Sequence, residues 1–309
     1  MSSPEAVNVG QRASLWPQAP VRVAFVGSEQ LLDAFAPAAP VYGLQYQRIR
    51  ARGAPGVEPA GSALKRFRPH VTVIFDPPSI AEDVELEAIG TMLGVLVDGV
   101  RGNEGISGLP QLDRLVSFDP SLTGERIEGQ VVWRSMPPPV SDAYFAQVRP
   151  LHRAPRAMSL GASSEHREAI LMPAKHHYDV LQLIHGVSGR ELVQLLSEYD
   201  VGLYVARDSG GGFGHEALVH LAAGQLLIAD ATEPAYGLER NIDYLHVSSA
   251  DELVWFLERL GRFPEMYQRI RMRGRLKAEQ YRASRLFKRV ICDLMLDTRA
   301  FGTSAEARA

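Results

Sequence analysis

The stretch DVGLYVARDSGGGFGHEALVHLAAGQLLIAD, residues 200–230, holds two apolar runs separated by a glycine-rich segment and a helical pattern. The runs 200–206 and 225–230 are apolar apart from the end residues Asp200, Gln225 and Asp230, which is typical of strands buried on both faces of a parallel sheet. Between them, residues 215–223 have helical periodicity, and Gly224 follows as a helix-ending residue. The stretch therefore predicts a β-α-β unit whose glycine-rich loop lies at the carboxyl end of its first strand.

The same alternation of strand and helix recurs over most of the chain, which predicts the α/β class with doubly wound parallel sheets. Other strands are predicted at 21–27, 70–75, 93–99, 114–119, 129–134, 157–161, 179–186 and 243–247. Helices are predicted at 79–93, 163–172, 188–199 and 249–261, with a long helix or helix pair from Pro264 to about Leu296.

A proline-rich segment at 134–157 continues neither element type and indicates a boundary between two halves. The predicted organisation is a disordered lead-in, an N-terminal domain, a linker, a C-terminal domain, and a closing helix with a polar tail. These parts span 1–19, 20–140, 141–156, 157–285 and 286–309.

Composition excludes several classes of protein. The chain has 309 residues and a net charge of −3, so no overall field draws it to nucleic acid or to membranes. Cys292 is the single cysteine, which rules out an internal disulfide framework and a cysteine-rich zinc site. The first residues lack the apolar core of a secretory signal, and no run is apolar enough to span a bilayer. We expect a cytoplasmic protein without a bound metal.

Residue spacing eliminates three familiar readings of the glycine-rich loop. A Walker loop needs Gly-Lys-Ser/Thr, whereas His215 follows Gly214. The dinucleotide fingerprint lacks its third glycine, because His215 occupies that position. His215 and His220 are five residues apart and cannot share a zinc ion as an i, i+4 pair does.

The loop is flanked by two carboxylates, Asp208 and Glu216, with seven residues between them. A carboxylate in the first turn of a helix can accept hydrogen bonds from sugar hydroxyls while nearby amides hold phosphate. Equally, Glu216 can serve only the helix dipole and Asp208 can cap the loop. Spacing alone leaves both interpretations open.

Three segments together resemble the C-terminal domain of group 1 glycosyltransferases of the GT-B fold, and within them the spore-maturation-protein-like branch. They are DSGGGFGHEALVHLAAGQLLIAD, GLERNIDYLHVSSADELVWFLERL and YQRIRMRGRLKAEQYRASRLF. Upstream, LGASSEHREAIL and HGVSGRELVQLLSEYDVGLYVARD are similar to the same family, and SMPPPVSDAYF to its interdomain linker. The resemblance covers residues 113–290 and implies two Rossmann-like domains facing across a cleft, with the last helix crossing back to the N-terminal domain.

The resemblance also implies site residues and an activity: metal-independent transfer of a sugar from a nucleotide-sugar donor to an unidentified acceptor, without a further cofactor. Glu216 would accept the ribose hydroxyls, and Asp208 would face the donor sugar. The remaining candidates would contact the donor: Gly211, Gly212, Phe213, Gly214, His215, Gly186, Val187, Arg167, Arg207 and Glu239.

Two departures from the family pattern motivate a second hypothesis, a catalytically inactive GT-B-like binding subunit. The first acidic position is Asp208 where many members have Glu. The paired Arg and Lys that many members direct at the diphosphate have no counterpart at matching spacing, and Arg167, Lys175 and Arg207 are the nearest candidates.

An inverting reaction would need a base from the N-terminal domain, and Asp76 and Asp98 end predicted strands there. A turn-capping role is the commoner one for such aspartates. The chain has no Asp-x-Asp sequence, which disfavours the metal-dependent glycosyltransferase fold.

Residues 259–289 carry eleven Lys or Arg against two Glu. This segment suggests a third hypothesis, nucleic-acid binding, which the overall charge of −3 opposes. We interpret the segment as a solvated helix face and expect no nucleic-acid partner.

Overall fold

The computed structural model describes residues 19–51, 58–79, 90–97, 112–127, 129–152, 154–184, 187–231, 233 and 235–302. Of the predicted site residues, Asp98 and Gly186 lie outside these ranges.

The N-terminal half forms a seven-stranded sheet in which all strands but one run parallel. Its strands are β1 (Val21–Gly27), β2 (Leu44–Arg50), β3 (Val71–Phe75), β4 (Thr91–Leu96), β5 (Arg114–Ser117), β6 (Arg126–Ile127) and β7 (Gln130–Ser135). Helices α1 (Glu29–Phe35) and α2 (Ala60–Phe67) follow β1 and β2. The strand order is β2-β1-β3-β4-β5-β7-β6.

The C-terminal half forms a second, five-stranded parallel sheet. Its strands are β8 (Ala157–Leu160), β9 (Val180–Leu183), β10 (Val201–Tyr204), β11 (Leu226–Ala229) and β12 (Leu245–His246). The helices are α3 (Glu165–His177), α4 (Gly189–Glu198), α5 (His215–Ala222), α6 (Ala250–Arg262), α7 (Gln268–Ala278) and α8 (Ala283–Phe301). The order is β12-β11-β10-β8-β9.

Both sheets share one topology: the first strand lies between the second and the third, and later strands add beyond the third. In such open sheets, ligands bind at the carboxyl ends of the strands where the order reverses. For the C-terminal sheet this point lies between β8 and β10, and β10 leads directly into the glycine-rich loop.

Helix α8 belongs to the N-terminal core although it follows the C-terminal domain in sequence. The ring of Phe287 is buried and packs edge-on against Phe25, with 4.9 Å between centroids, and against Phe75, with 5.8 Å. Leu286, Val290 and Leu294 belong to the same buried cluster. The expected architecture of two Rossmann-like domains with a helix crossing back is therefore confirmed.

The chain crosses between the domains twice, and the two crossings bond to each other. Val140 donates its N–H to the Tyr281 carbonyl at 2.8 Å and accepts from the Ala283 N–H at 2.8 Å. Asp142 is buried, accepts from the Ala38 N–H at 3.1 Å, and also accepts from the Ser284 hydroxyl. This carboxylate ties the linker to the segment that follows α1 and to α8.

Some local predictions were wrong. Residues 91–93 lie in β4 and do not continue the helix predicted over 79–93, because His70 and Thr91 bond at the edge of β3 and draw them into the sheet. Strand β2 escaped prediction because its sequence, LQYQRIR, alternates with polar residues, as suits an edge strand. The segment after Pro264 is a helix pair, α7 and α8, which extends to Phe301.

Candidate functional site

Tyr204, the last residue of β10, shapes the glycine-rich loop. Its hydroxyl donates to the Gly212 carbonyl at 3.0 Å and accepts from the Gly214 N–H at 2.7 Å. Burial, reinforced by the nearby Glu216 carboxylate, raises the pKa of the Tyr204 hydroxyl, so it remains protonated and keeps both bonds. One side chain therefore fixes the backbone over three residues of the loop.

Phe213 holds the same loop through contacts of its ring in the core. Its ring is buried, stacks on Tyr204 with 5.9 Å between centroids, and meets Tyr244 edge-on at 4.9 Å. The side chain of Phe213 is therefore a core contact that supports the loop, and only its backbone is placed to face a ligand.

Glu216 lies where the sequence places it, in the first turn of α5, after Gly214 as the N-terminal cap. The positive end of the helix dipole and its unpaired N–H groups favour negative charge here. A side chain at Gly214 would overlap both Glu216 and Tyr204, since a Cβ there would lie 2.7 Å from Glu216 Oε2 and 2.9 Å from the Tyr204 hydroxyl. Glycine at this position is what allows the carboxylate to come so close to the loop.

Glu216 lines a cavity of about 420 Å³ between the two domains. Its lining combines the polar residues Glu216, His215 and Ser188 with the apolar residues Leu160, Leu183, Ile184, Val187 and Leu192. Gln30 and Ala34 of α1 and Tyr144 of the linker also line the cavity. The cavity lies at the predicted reversal point, because Leu160 ends β8 and Glu216 follows β10.

His215 connects the glycine-rich loop to the N-terminal domain. Its ring lies 4.5 Å, centroid to centroid, from that of Phe35 in α1. Burial lowers the pKa of His215 to about 4, although the carbonyl groups of Ala34 and Pro139 oppose the shift. At neutral pH this imidazole is uncharged, so it packs the domains together and supplies no positive charge to an anion.

Two of the three cations considered for the diphosphate are engaged elsewhere. Arg167 is buried and donates to the Val205 carbonyl at 2.8 Å and to the Ala162 carbonyl at 2.6 Å. Lys175 donates to Glu168 at 2.8 Å and to Gln182. Arg207 is exposed beside the loop, and its carbonyl accepts from the Ser164 hydroxyl at 2.7 Å. The structure thus assigns Arg167 and Lys175 to holding the C-terminal domain together.

Of the remaining predicted residues, Asp208, Glu239 and Asp76 lie outside the cavity lining. Asp208 is exposed in a bend four residues beyond the end of β10, and its carbonyl accepts from Gly211. Glu239 is exposed and outside the cavity lining. Asp76 follows β3 with a φ of 49°, and its N–H donates to the Val95 carbonyl. Val187 does line the cavity.

Sequence reasoning missed the apolar wall of the cavity and its N-terminal side. Leu160 and Leu183 were assigned to strands, and the carboxyl ends of two adjacent parallel strands are the signal that could have identified them. Gln30 and Tyr144 reach the cavity only through the packing of the domains, which no local pattern encodes.

Within the ranges that the structure describes, no three His, Cys, Asp or Glu side chains are grouped so as to hold a metal ion. In the same ranges, no helix is both long enough and apolar enough to cross a bilayer.

Comparison with solved structures identifies the fold as GT-B. The chain is similar to Anabaena Alr3699/HepE in complex with UDP-glucose, with 9% identity, a TM-score of 0.56, and coverage of 89% of this chain and 99% of that one. It is also similar to an alpha-glucosyltransferase in complex with UDP-glucose and DNA containing an abasic site, with 9% identity, a TM-score of 0.60, and coverage of 90% and 100%.

A third similar structure is the sucrose-phosphate synthase of Thermosynechococcus elongatus, with 12% identity, a TM-score of 0.52, and coverage of 90% and 100%. No family model matches the sequence, and no curated protein matches it at a significant level. At these identities the similarity establishes the fold alone.

Proposed function

We propose that the protein is a glycosyltransferase that takes a sugar from a nucleotide-sugar donor, without a metal ion, and transfers it to an acceptor held by the N-terminal domain. The observation that carries this proposal is the interdomain cavity, whose lining combines the Glu216 carboxylate with several apolar side chains. The ribose hydroxyls would donate to Glu216, and the base would lie against Leu160, Leu183 and Ile184. The proposed donor agrees with the UDP and UDP-glucose bound by the neighbours HepE and alpha-glucosyltransferase.

The diphosphate would be held by main-chain groups. The N–H groups of Gly212 and Phe213 and the positive N-terminus of α5 would face it and stabilise the charge that develops as the diphosphate leaves. The N–H groups of Gly211 and Gly214 already donate to the Asp208 carbonyl and the Tyr204 hydroxyl. Arg207, exposed at the start of the loop, would be the nearest side-chain cation, and Asp208 would face the donor sugar. Asp76 or Asp98 would serve as base if the reaction inverts the anomeric centre.

The acceptor we propose is not a nucleic acid, although one neighbour was solved with DNA. Among the described residues that line the cavity there is no Lys or Arg. A polyanionic acceptor would need such cations close to the reaction centre.

Glu216→Gln is expected to weaken donor binding about tenfold to a hundredfold, because hydrogen bonds to a charged group contribute about 1.5–3 kcal/mol. Isothermal titration with UDP and UDP-glucose, and thermal shift with GDP-, ADP- and TDP-sugars, measure this. Glu191→Gln is the matched control, since Glu191 is an exposed first-turn glutamate on α4 outside the cavity lining. If no nucleotide binds the wild type, the transferase proposal is wrong.

Tyr204→Phe is expected to weaken donor binding about tenfold while the fold is retained. The change removes the bonds to Gly212 and Gly214, so the loop amides lose their fixed positions. Tyr199→Phe is the control, because this buried tyrosine also loses one hydrogen bond, from Arg156, at a distance from the loop. If both variants lose the same thermal stability and Tyr204→Phe binds the donor as tightly as the wild type, Tyr204 does not position the loop for donor binding.

A second function, a catalytically inactive binding subunit, is favoured by the engagement of Arg167 and Lys175. Without a side-chain cation the leaving diphosphate has less stabilisation, and binding can persist where turnover does not. Donor hydrolysis and transfer to a broad acceptor panel separate the two. Binding without turnover would support the subunit, and any turnover abolished by Glu216→Gln would support the transferase.

A further inference from the structure

The outer faces of α7 and α8 form one exposed surface that combines cations with large apolar side chains; we refer to it as the basic face. On α7, Arg269, Met272, Arg273 and Leu276 recur at the spacing of one helix face, and all four are exposed. On α8, Arg285, Arg289 and Leu296 do the same. Met272, Leu276 and Leu296 are 41%, 65% and 43% exposed, which is unusual for such residues on neighbouring helices.

A groove of about 620 Å³ joins the two helices and makes the surface continuous. It is lined by Leu276 of α7, by Glu279 and Gln280 just after that helix, and by Arg285, Lys288, Arg289 and Cys292 from α8. Tyr42 of the N-terminal domain extends it, since this residue is 89% exposed and the Lys288 ammonium lies 5.2 Å from its ring centroid. The basic face therefore spans both domains.

The basic face keeps its positive charge because its carboxylate is already neutralised. Glu279 accepts from Arg275 at 2.8 Å and from Arg282 at 2.7 Å, and these bonds lower the pKa of Glu279 to about 2. Asp293 and Asp297 of α8 are directed toward the N-terminal sheet, where they bond Arg134 at 2.7 Å and Arg114 at 2.5 Å. Arg285 also lies 3.4 Å from this carboxylate of Glu279, so three arginines share one glutamate and the basic face keeps a net positive charge.

We infer that the basic face docks the protein onto an anionic lipid bilayer. Cations beside exposed leucine, methionine and tyrosine match a membrane interface, where the cations meet lipid headgroups and the apolar side chains enter the acyl boundary. A nucleic-acid backbone would satisfy the cations and leave Leu276, Met272 and Tyr42 in water. A second copy packed through a two-fold axis would bring Arg285 and Arg289 against like charges.

Docking on this surface would hold both domains at the bilayer, because Tyr42 belongs to the N-terminal domain and Leu276 to the C-terminal one. Acceptor-side and donor-side halves would then be presented together. Membrane docking does not involve the donor site, so it can be tested independently of the proposed transferase activity.

The test is co-sedimentation of the full chain with vesicles of phosphatidylcholine alone and of phosphatidylcholine mixed with phosphatidylglycerol. Binding is expected only with the anionic vesicles, and it should weaken with added salt. Arg285→Gln with Arg289→Gln is expected to weaken the partitioning roughly thirtyfold, since each surface cation contributes about a factor of five. Leu276→Gln is expected to weaken it severalfold.

Two controls match these variants in exposure. Arg66→Gln with Arg262→Gln removes two arginines whose side chains are 65% and 68% exposed, and Trp255→Gln removes a large apolar residue that is 49% exposed on α6. Both are expected to bind vesicles like the wild type, and circular dichroism checks that every variant is folded.

Three results would overturn the inference. Equal sedimentation with both vesicle types, or none with either, would show that no anionic bilayer is recognised. If DNA binding and vesicle binding both require Arg285 and Arg289 but neither requires Leu276, the basic face binds polyanions in general. A concentration-dependent dimer lost in Leu276→Gln would show that a second copy covers the face.

Discussion

Gly274→Ala is expected to destabilise the protein by about 3 kcal/mol, at the upper end of what a single added methyl group costs in a packed site. Gly274 is buried in α7, and a Cβ there would overlap the carbonyl oxygen of Asp243 and lie 2.7 Å from Leu221 Cδ2 in α5. Asp243 is itself buried, and its carboxylate accepts from the Glu239 N–H at 3.1 Å. Neither the oxygen nor the helix can move away without breaking other contacts.

The matched control is Gly261→Ala, which changes another helical glycine. Nothing lies within 4 Å of a Cβ at Gly261, and the residue is exposed in α6. Alanine is a better helix former than glycine, so this variant is expected to be more stable by about 0.5–1 kcal/mol. Urea unfolding of the two variants measures the difference, and a Gly274→Ala protein as stable as the wild type would show that α7 is not held against Asp243.

The fold was predictable from sequence because its strands are buried on both faces. The run LLIA in β11 is continuously apolar, and VRVAFVG in β1 is interrupted only by Arg22. A short apolar run between turn residues is typical of a strand buried on both faces. The β-α-β unit around residues 200–230 was likewise predictable, since Gly224 adopts a φ of 74° after α5 as a helix-ending glycine should.

The candidate site was predictable only on its C-terminal side. The position of Glu216 in the first turn of α5 follows from local periodicity, and the structure places it in the cavity. Tyr204 looked like a strand residue, and its two bonds to the loop depend on how the loop folds back over its own strand. Arg167 carried a charge that suggested a ligand, whereas its guanidinium group holds backbone carbonyls. Contacts of this kind depend on tertiary packing, which sequence spacing does not specify.

The protein is expected to lose stability as the pH falls from about 6.5 toward 4, and His220 is one of two buried histidines, with His215, whose lowered pKa has this consequence. Burial lowers the pKa of His220 to about 4, and its side chain is fully inaccessible. Between these pH values His220 is protonated in the unfolded chain but neutral in the folded one. The free energy of unfolding therefore falls by up to about 1.4 kcal/mol per pH unit for this one residue as the pH decreases. Above about pH 6.5 both states are neutral and the effect disappears.

Packing explains why His220 remains neutral. Its Nδ1 lies 2.6 Å from the Gln225 Oε1, and Gln225 in turn donates to the Leu196 carbonyl at 2.9 Å. Its Nε2 is buried without a hydrogen-bond partner among the described residues, so a proton there would carry an uncompensated charge. Gly202 leaves the necessary room, since a Cβ at that position would overlap the ring Cγ of His220 and lie 2.6 Å from its Nδ1.

His220→Asn is the variant that isolates this effect, because its amide can still donate to Gln225 and does not titrate. Between about pH 7 and pH 5 the wild type is expected to lose roughly 2 kcal/mol more unfolding free energy than His220→Asn does. His176→Asn, at an exposed position on α3, is expected to follow the wild type. Equal pH dependence in all three proteins would place the acid sensitivity elsewhere, and His215 would be the next residue to test. Its ring is held between the domains, so its protonation would separate Phe35 from α5.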